Sequence, residues 1–178
     1  MKPFTLKIDD DIQLKEIGIE HIRPIFNVID SQRSYLGEWL PFVELTQDIS
    51  FTSKFVENYL NSDRLILTCA IIYRKHFAGI IGLKDTDNDN KKTEIGYWLS
   101  SFFQGKGIMI RSCKGLISHI FNTMDINRIQ IKAATNNLKS RAIPERIGFK
   151  SEGIERDGEL HSRGFVNLAV YGLLKKDL

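Results

Sequence analysis

Residues 93–109 read TEIGYWL, SSFF and QGKGIM: a strand-like alternation, a loop with Gly105 and Gly107, and the start of a long amphipathic run. That order carries a specific chemistry. Backbone N–H groups of a glycine-bearing loop, together with the positive end of the helix behind it, cradle phosphate oxygens. Neither glycine has a Cβ, so the backbone there can approach a ligand closely. The loop is not a nucleotide P-loop, because G-x-x-x-x-G-K-[ST] is absent, nor a dinucleotide fingerprint, because G-x-G-x-x-G is absent. The competing reading of QGKG is a tight strand-to-helix turn, and the charge pattern decides between the two. Residues 104–150 hold 9 Lys/Arg against 2 Asp/Glu, a local charge of +7, whereas residues 1–60 hold 6 against 10, a local charge of −4. A basic stretch that begins at the loop favours an anion.

Other candidates are fewer. In NLKSRAIPERIGF, residues 137–149, Asn137 suits a helix N-cap and Ser140 its first turn. His21, His76, His119 and His161 are scattered without metal-ligand spacing, so no metal is expected. Cys113 falls on an apolar helix stripe and Cys69 within an apolar run, so both read as core rather than as nucleophiles. Tyr35, Trp39 and Phe42 form an aromatic cluster that suits either a pocket wall or the core.

The elements that must position these residues follow from periodicity. Residues 19–27 and 51–60 read as helices, the second with Phe51, Phe55, Val56 and Tyr59 at helical spacing behind Ser50 as cap. Residues 65–73 and 77–83 read as a hairpin across a short basic turn, and 85–92 as a polar loop. Residues 93–99 form a strand with Ile95, Tyr97 and Leu99 on one face and Glu94, Gly96 and Trp98 on the other. The helix after the loop runs to about Met124, with Met109, Cys113, Leu116, Ile117, Ile120 and Met124 as its apolar stripe. A strand at 128–134, a helix at 138–147 ended by Gly148, and strands at 149–156 and 165–174 complete the order. The expectation is an α+β chain, one domain over residues 1–178, with a mixed, mostly antiparallel sheet of six or seven strands flanked by helices.

Composition bounds the class. With 178 residues, 42% hydrophobic and 26% charged, the chain is an ordinary globular protein, and a net charge of +3 makes no case for nucleic acid. The apolar run at 65–73 is far too short to span a bilayer. MKPFTLKIDDD lacks the apolar core of a signal peptide, and two cysteines exclude a disulfide scaffold. A cytoplasmic location is expected.

EIGYWL followed by FQGKGIM resembles the acetyl-CoA-binding motif of the GNAT N-acetyltransferases, whose loop reads Q/R-x-x-G-x-G/A. The stretch 137–149 resembles the second half of the same core, and YLGEWLPF and LAVYGLLK extend the likeness over nearly the whole chain. The combination looks most like the branch that acetylates the N-terminal amines of ribosomal proteins. The resemblance implies the GNAT acyltransferase fold, with acetyl-CoA as co-substrate. Its pantetheine would lie along the strand at Tyr97, Trp98 and Leu99, and its pyrophosphate on Gln104, Gly105, Lys106, Gly107, Ile108 and Met109. Met109 departs from the Gly or Ala usual at its position.

By the same resemblance Asn137 contacts the cofactor. The family's Tyr acid falls on Pro144, which has no proton to give, and Ser140 matches the N-x-x-S motif as the alternative acid. Glu94 is the carboxylate nearest the implied reaction centre and the candidate base. The expected activity is acetyl transfer to a primary amine by direct attack in a ternary complex, with a protein N-terminus as the favoured acceptor. The alternatives are a small amine, such as a polyamine or aminoglycoside, or a CoA-binding module without turnover. Neither a nucleic acid nor a membrane is an expected partner, and the chain is expected to be a monomer or homodimer.

Overall fold

The computed structural model describes residues 3–62 and 67–178. They contain eight strands, β1 (Thr5–Lys7), β2 (Ile12–Glu16), β3 (Thr68–Tyr73), β4 (His76–Asp87), β5 (Lys92–Leu99), β6 (Arg128–Ala134), β7 (Lys150–His161) and β8 (Gly164–Leu174). The helices are α1 (Ile22–Ser31), α2 (Arg33–Gly37), α3 (Phe42–Leu45), α4 (Ile49–Asn61), α5 (Ile108–Thr123) and α6 (Leu138–Arg146). The residues form two compact units, Met1–Gly82 with Tyr97–Ile108, and Leu83–Gly96 with Met109–Leu178. The chain passes between them inside β4, inside β5 and at the first residue of α5.

In the first unit β1, β2, β3 and the start of β4 form an antiparallel ladder. Arg74 and Lys75, both at positive φ, make the two-residue turn between β3 and β4, and Arg74 is tied back to Asp11. The core under the ladder is Ile17, Ile25, Ile29, Leu36, Val43, Val56, Ala70 and Ile80, with Tyr35, Phe42 and Trp98 packed against it. Each Ile, Leu or Val side chain withdrawn from water contributes roughly 1.5–3 kcal/mol. Between Ile71 and Ile72 the register with β4 slips by one residue, so Ala78 is an extra residue in β4.

Beside that bulge, Gly79 is required by close approach. A Cβ there would stand 2.9 Å from Leu99 Cα and closer still to the Trp98 carbonyl oxygen, both backbone atoms that cannot rotate away. Gly79→Ala is expected to destabilise the protein by about 2 kcal/mol, the range of overpacking a tight site. Denaturant unfolding with an unchanged slope and a lower midpoint checks this.

In the second unit β5 and β6 run parallel, β6 and β8 antiparallel, and β8 and β7 antiparallel as a long hairpin. The predicted α5 stripe is buried at Met109, Cys113, Leu116, Ile117 and Ile120, while Lys114, Ser118 and Asn122 are exposed.

Several expectations need correction. The strand count is eight rather than six or seven, because the short β1 and β2 were not anticipated. The α4 cap is Asp48, which accepts a hydrogen bond from the Ser50 N–H at 2.7 Å, and Ser50 is already helical. The loop expected at 85–92 shrinks to 88–91, because β4 continues to Asp87. The first hairpin strand was expected from residue 65; positions 65 and 66 lie outside the described residues, and β3 begins at Thr68. Gly148, at φ +93, follows α6 as expected.

Candidate active site

The glycine loop adopts the conformation its residues permit. Gly105 and Gly107 have φ of +74° and +66°, where an L side chain is strained. Both are exposed, and a Cβ on either would meet open space. Between them Lys106 is exposed. Its Nζ donates to the Phe102 carbonyl and lies 5.3 Å from the Phe103 ring centroid and 5.8 Å from that of Tyr73. Ile108, the first residue of α5, is buried. The first four N–H groups of an α-helix have no partner within it, so the loop leads directly to a set of donors.

Upstream of the loop, Tyr97, Trp98 and Leu99 end β5 and are partly buried; Trp98 meets Phe77 edge-on at 5.8 Å. The segment between β5 and the loop is tied to the α1–α2 junction. Gln32 is 7% exposed, and its side chain bonds Ser100 Oγ and the N–H and Oγ of Ser101. Tyr35 donates to the Leu99 carbonyl and accepts from the Gln104 side chain. Burial raises the Tyr35 phenol above its ordinary range. Nothing in the sequence singles out Gln32. Tyr35 stood in the aromatic cluster, whose core reading its packing supports.

Glu94, Asn137, Ser140 and Met109 belong to the second unit. Glu94 is 3% exposed. Its Oε1 lies 2.7 Å from Lys84 Nζ but accepts no directed hydrogen bond among the described residues. Its Oε2 accepts from Gln130 Nε2 at 3.0 Å, with Lys132 Nζ 3.8 Å away and closer to Glu155. Two ammonium groups therefore compensate a buried carboxylate. Met109 is 5% exposed, on the helix stripe as expected.

Asn137 caps α6, its Oδ1 accepting from the Ser140 N–H at 3.0 Å. Pro144 lies inside α6 and is buried, so the Ser140 carbonyl receives no bond from position 144. The helix is fixed on β8 by a network that sequence reading missed. Arg141 donates to Tyr171 Oη at 2.9 Å and to the Thr135 carbonyl at 2.9 Å, while Tyr171 donates to Glu145 at 2.8 Å. Among the described residues no group of three or more His, Cys, Asp or Glu is placed to hold a metal ion, and no helix is long and apolar enough to cross a membrane.

The acetyltransferase (GNAT) domain family matches residues 11–150. The Bacillus subtilis (strain 168) protein YdaF is 33% identical over 98% of this chain and 97% of its own. The ribosomal-protein-serine acetyltransferase of Escherichia coli (strain K12) is 26% identical over 94% of each chain. A solved structure of the microcin C7 self-immunity acetyltransferase MccE in complex with acetyl-CoA and AMP superposes with a TM-score of 0.90 at 27% identity, covering 94% of each chain. A glycine loop opening onto a long helix and a domain-wide family match lead to one conclusion: the chain belongs to the GNAT acetyltransferase family.

Proposed function

We propose that this acetyltransferase transfers an acetyl group from acetyl-CoA to the N-terminal α-amine of a protein, a ribosomal protein being the favoured acceptor. The observation that carries the cofactor half is the loop, with two exposed left-handed glycines, open space at both Cβ positions, and a helix start behind them. Gln104, Gly105, Lys106, Gly107, Ile108 and the backbone amide of Met109 meet the pyrophosphate, and Tyr97, Trp98 and Leu99 the pantetheine. The similarity to a ribosomal-protein-serine acetyltransferase over 94% of each chain supports the acceptor half.

In this reading the neutral amine nitrogen attacks the thioester carbonyl carbon. The C–S bond breaks, the amine's surplus proton passes to Glu94 Oε1 and from there to solvent, and the Ser140 hydroxyl stabilises the thiolate, passing it a proton as it takes one from water. Asn137 orients the first turn of α6 through its bond to the Ser140 N–H. Orientation and stabilisation of the developing oxyanion by backbone amides supply most of the acceleration. Chemistry favours an α-amine: at pH ~7.4 about a quarter of α-amines are neutral, against about a thousandth of lysine side chains.

Thiol release over an acceptor panel tests the assignment. A peptide with a free N-terminal Ser or Ala is expected to exceed the same peptide, N-terminally blocked and carrying one Lys, at least tenfold or so in kcat/KM. It should also exceed spermidine and an aminoglycoside. A small amine outperforming every peptide would overturn the acceptor half, and acetyl-CoA binding without turnover on any acceptor would overturn the enzyme reading.

A further inference from the structure

We infer that Gln32, with Tyr35 one turn later, is the positioning residue for the cofactor loop, so that the α1–α2 junction sets the affinity for acetyl-CoA. This rests on the reading of residues 104–109 as the acetyl-CoA loop. β5 ends at Leu99. The Ser100 N–H still bonds the Ala78 carbonyl at 2.8 Å, as a continuing ladder would. The next amide, that of Ser101, enters the single 3₁₀ turn Ser101–Phe103 and points instead at a side chain. Gln32 Oε1 accepts from it at 2.8 Å and from Ser101 Oγ at 3.0 Å, while Gln32 Nε2 donates to Ser100 Oγ at 2.9 Å.

The carboxamide thus supplies one more rung. A partly buried backbone N–H without an acceptor is costly, so Gln32 favours this path of the loop. Gln32 has the backbone room to do so because it is the break between α1 and α2, at φ −130° and ψ 30° rather than in a helix.

Tyr35 closes the other end. Its hydroxyl bonds the last carbonyl of β5, Leu99, and the first loop residue, Gln104. Residues 99–104 are therefore held at both ends by two side chains three residues apart, and Gly105 and Gly107 follow at once. Without these anchors the glycines would sample more backbone states, and binding would have to order them.

Four variants are compared for KM of acetyl-CoA, single-turnover rate at saturation, KM of the acceptor peptide, and amide exchange at Ser101 without acetyl-CoA. Gln32→Leu keeps the volume and removes the polar atoms. It is expected to raise KM for acetyl-CoA about tenfold and to speed Ser101 exchange by roughly the same factor. The saturated single-turnover rate and the acceptor KM should stay within about threefold of wild type, a split that general destabilisation would not produce.

Gln32→Glu retains an acceptor for Ser101 and should recover most of the affinity. Should Gln32→Leu fail to fold, Tyr35→Phe removes only the second anchor and is expected to raise KM about threefold. Gly107→Val is the control, and its side chain must raise KM if this loop binds the cofactor. An unchanged KM in Gly107→Val would overturn the loop assignment. A raised KM there with wild-type KM and Ser101 exchange in folded Gln32→Leu would overturn the role of Gln32.

Discussion

Glu94→Gln is expected to lower the single-turnover acetylation rate about a hundredfold, the low end for removal of a general base. Acetyl-CoA affinity should change little. The substitution is nearly isosteric, and the oxygen it keeps can still accept from Gln130. What it removes is the charge on a 3% exposed group and the proton-accepting position on Oε1, where Lys84 is near but no directed hydrogen bond is made. Folding should survive, since the Lys84 side chain is 53% exposed and its ammonium can return to water. A folded Glu94→Gln enzyme with a wild-type rate at every pH would leave Glu94 as a counter-ion to the two lysines.

How far each part of the molecule could be read from the chain follows the distance over which its cause acts. The glycine loop was legible because a left-handed backbone is written into single residues, Gly105 and Gly107. The α5 stripe was legible because period and burial are local, and five of its six positions are buried. The strand β2 was missed although Ile12, Gln13, Leu14 and Lys15 alternate, buried then exposed, because five residues between turns give a weak signal. Asp48 was passed over as a cap in favour of Ser50, two residues on, because either residue type caps and only geometry chooses.

The anchors of the candidate site were out of reach for a different reason. Gln32 meets Ser100 and Ser101 across 68 and 69 residues of chain, and Tyr171 meets Arg141 across 30. A polar side chain buried by a distant partner leaves no periodic trace in its own neighbourhood. Glu94 shows the intermediate case. Its position on the strand was legible, but the lysines that share its charge come from β4 and β6. Local sequence therefore named the candidate groups, and the fold decided what each is held by.

Ser140→Ala is expected to lower the turnover number by roughly ten- to a hundredfold, with acetyl-CoA affinity nearly unchanged. Attack by the amine expels a thiolate, and a hydroxyl that stabilises or protonates it acts mainly in the transition state. Pro144 at the family's usual Tyr position supplies no proton, which leaves Ser140 as the motif-matched hydroxyl on α6. The structure makes the variant a clean test. The Asn137 cap accepts from the backbone N–H of Ser140, which alanine keeps, so this bond stays in place. Arg141, Tyr171 and Glu145 continue to hold the helix, and alanine is the better helix former of the two. A thermal midpoint close to that of wild type beside a lowered rate separates the chemical role from structural damage. Because product release can hide the chemical step, the rate is read in a single turnover on a good acceptor peptide. A folded Ser140→Ala enzyme that matches wild type in that measurement would reduce Ser140 to a residue of the first helical turn.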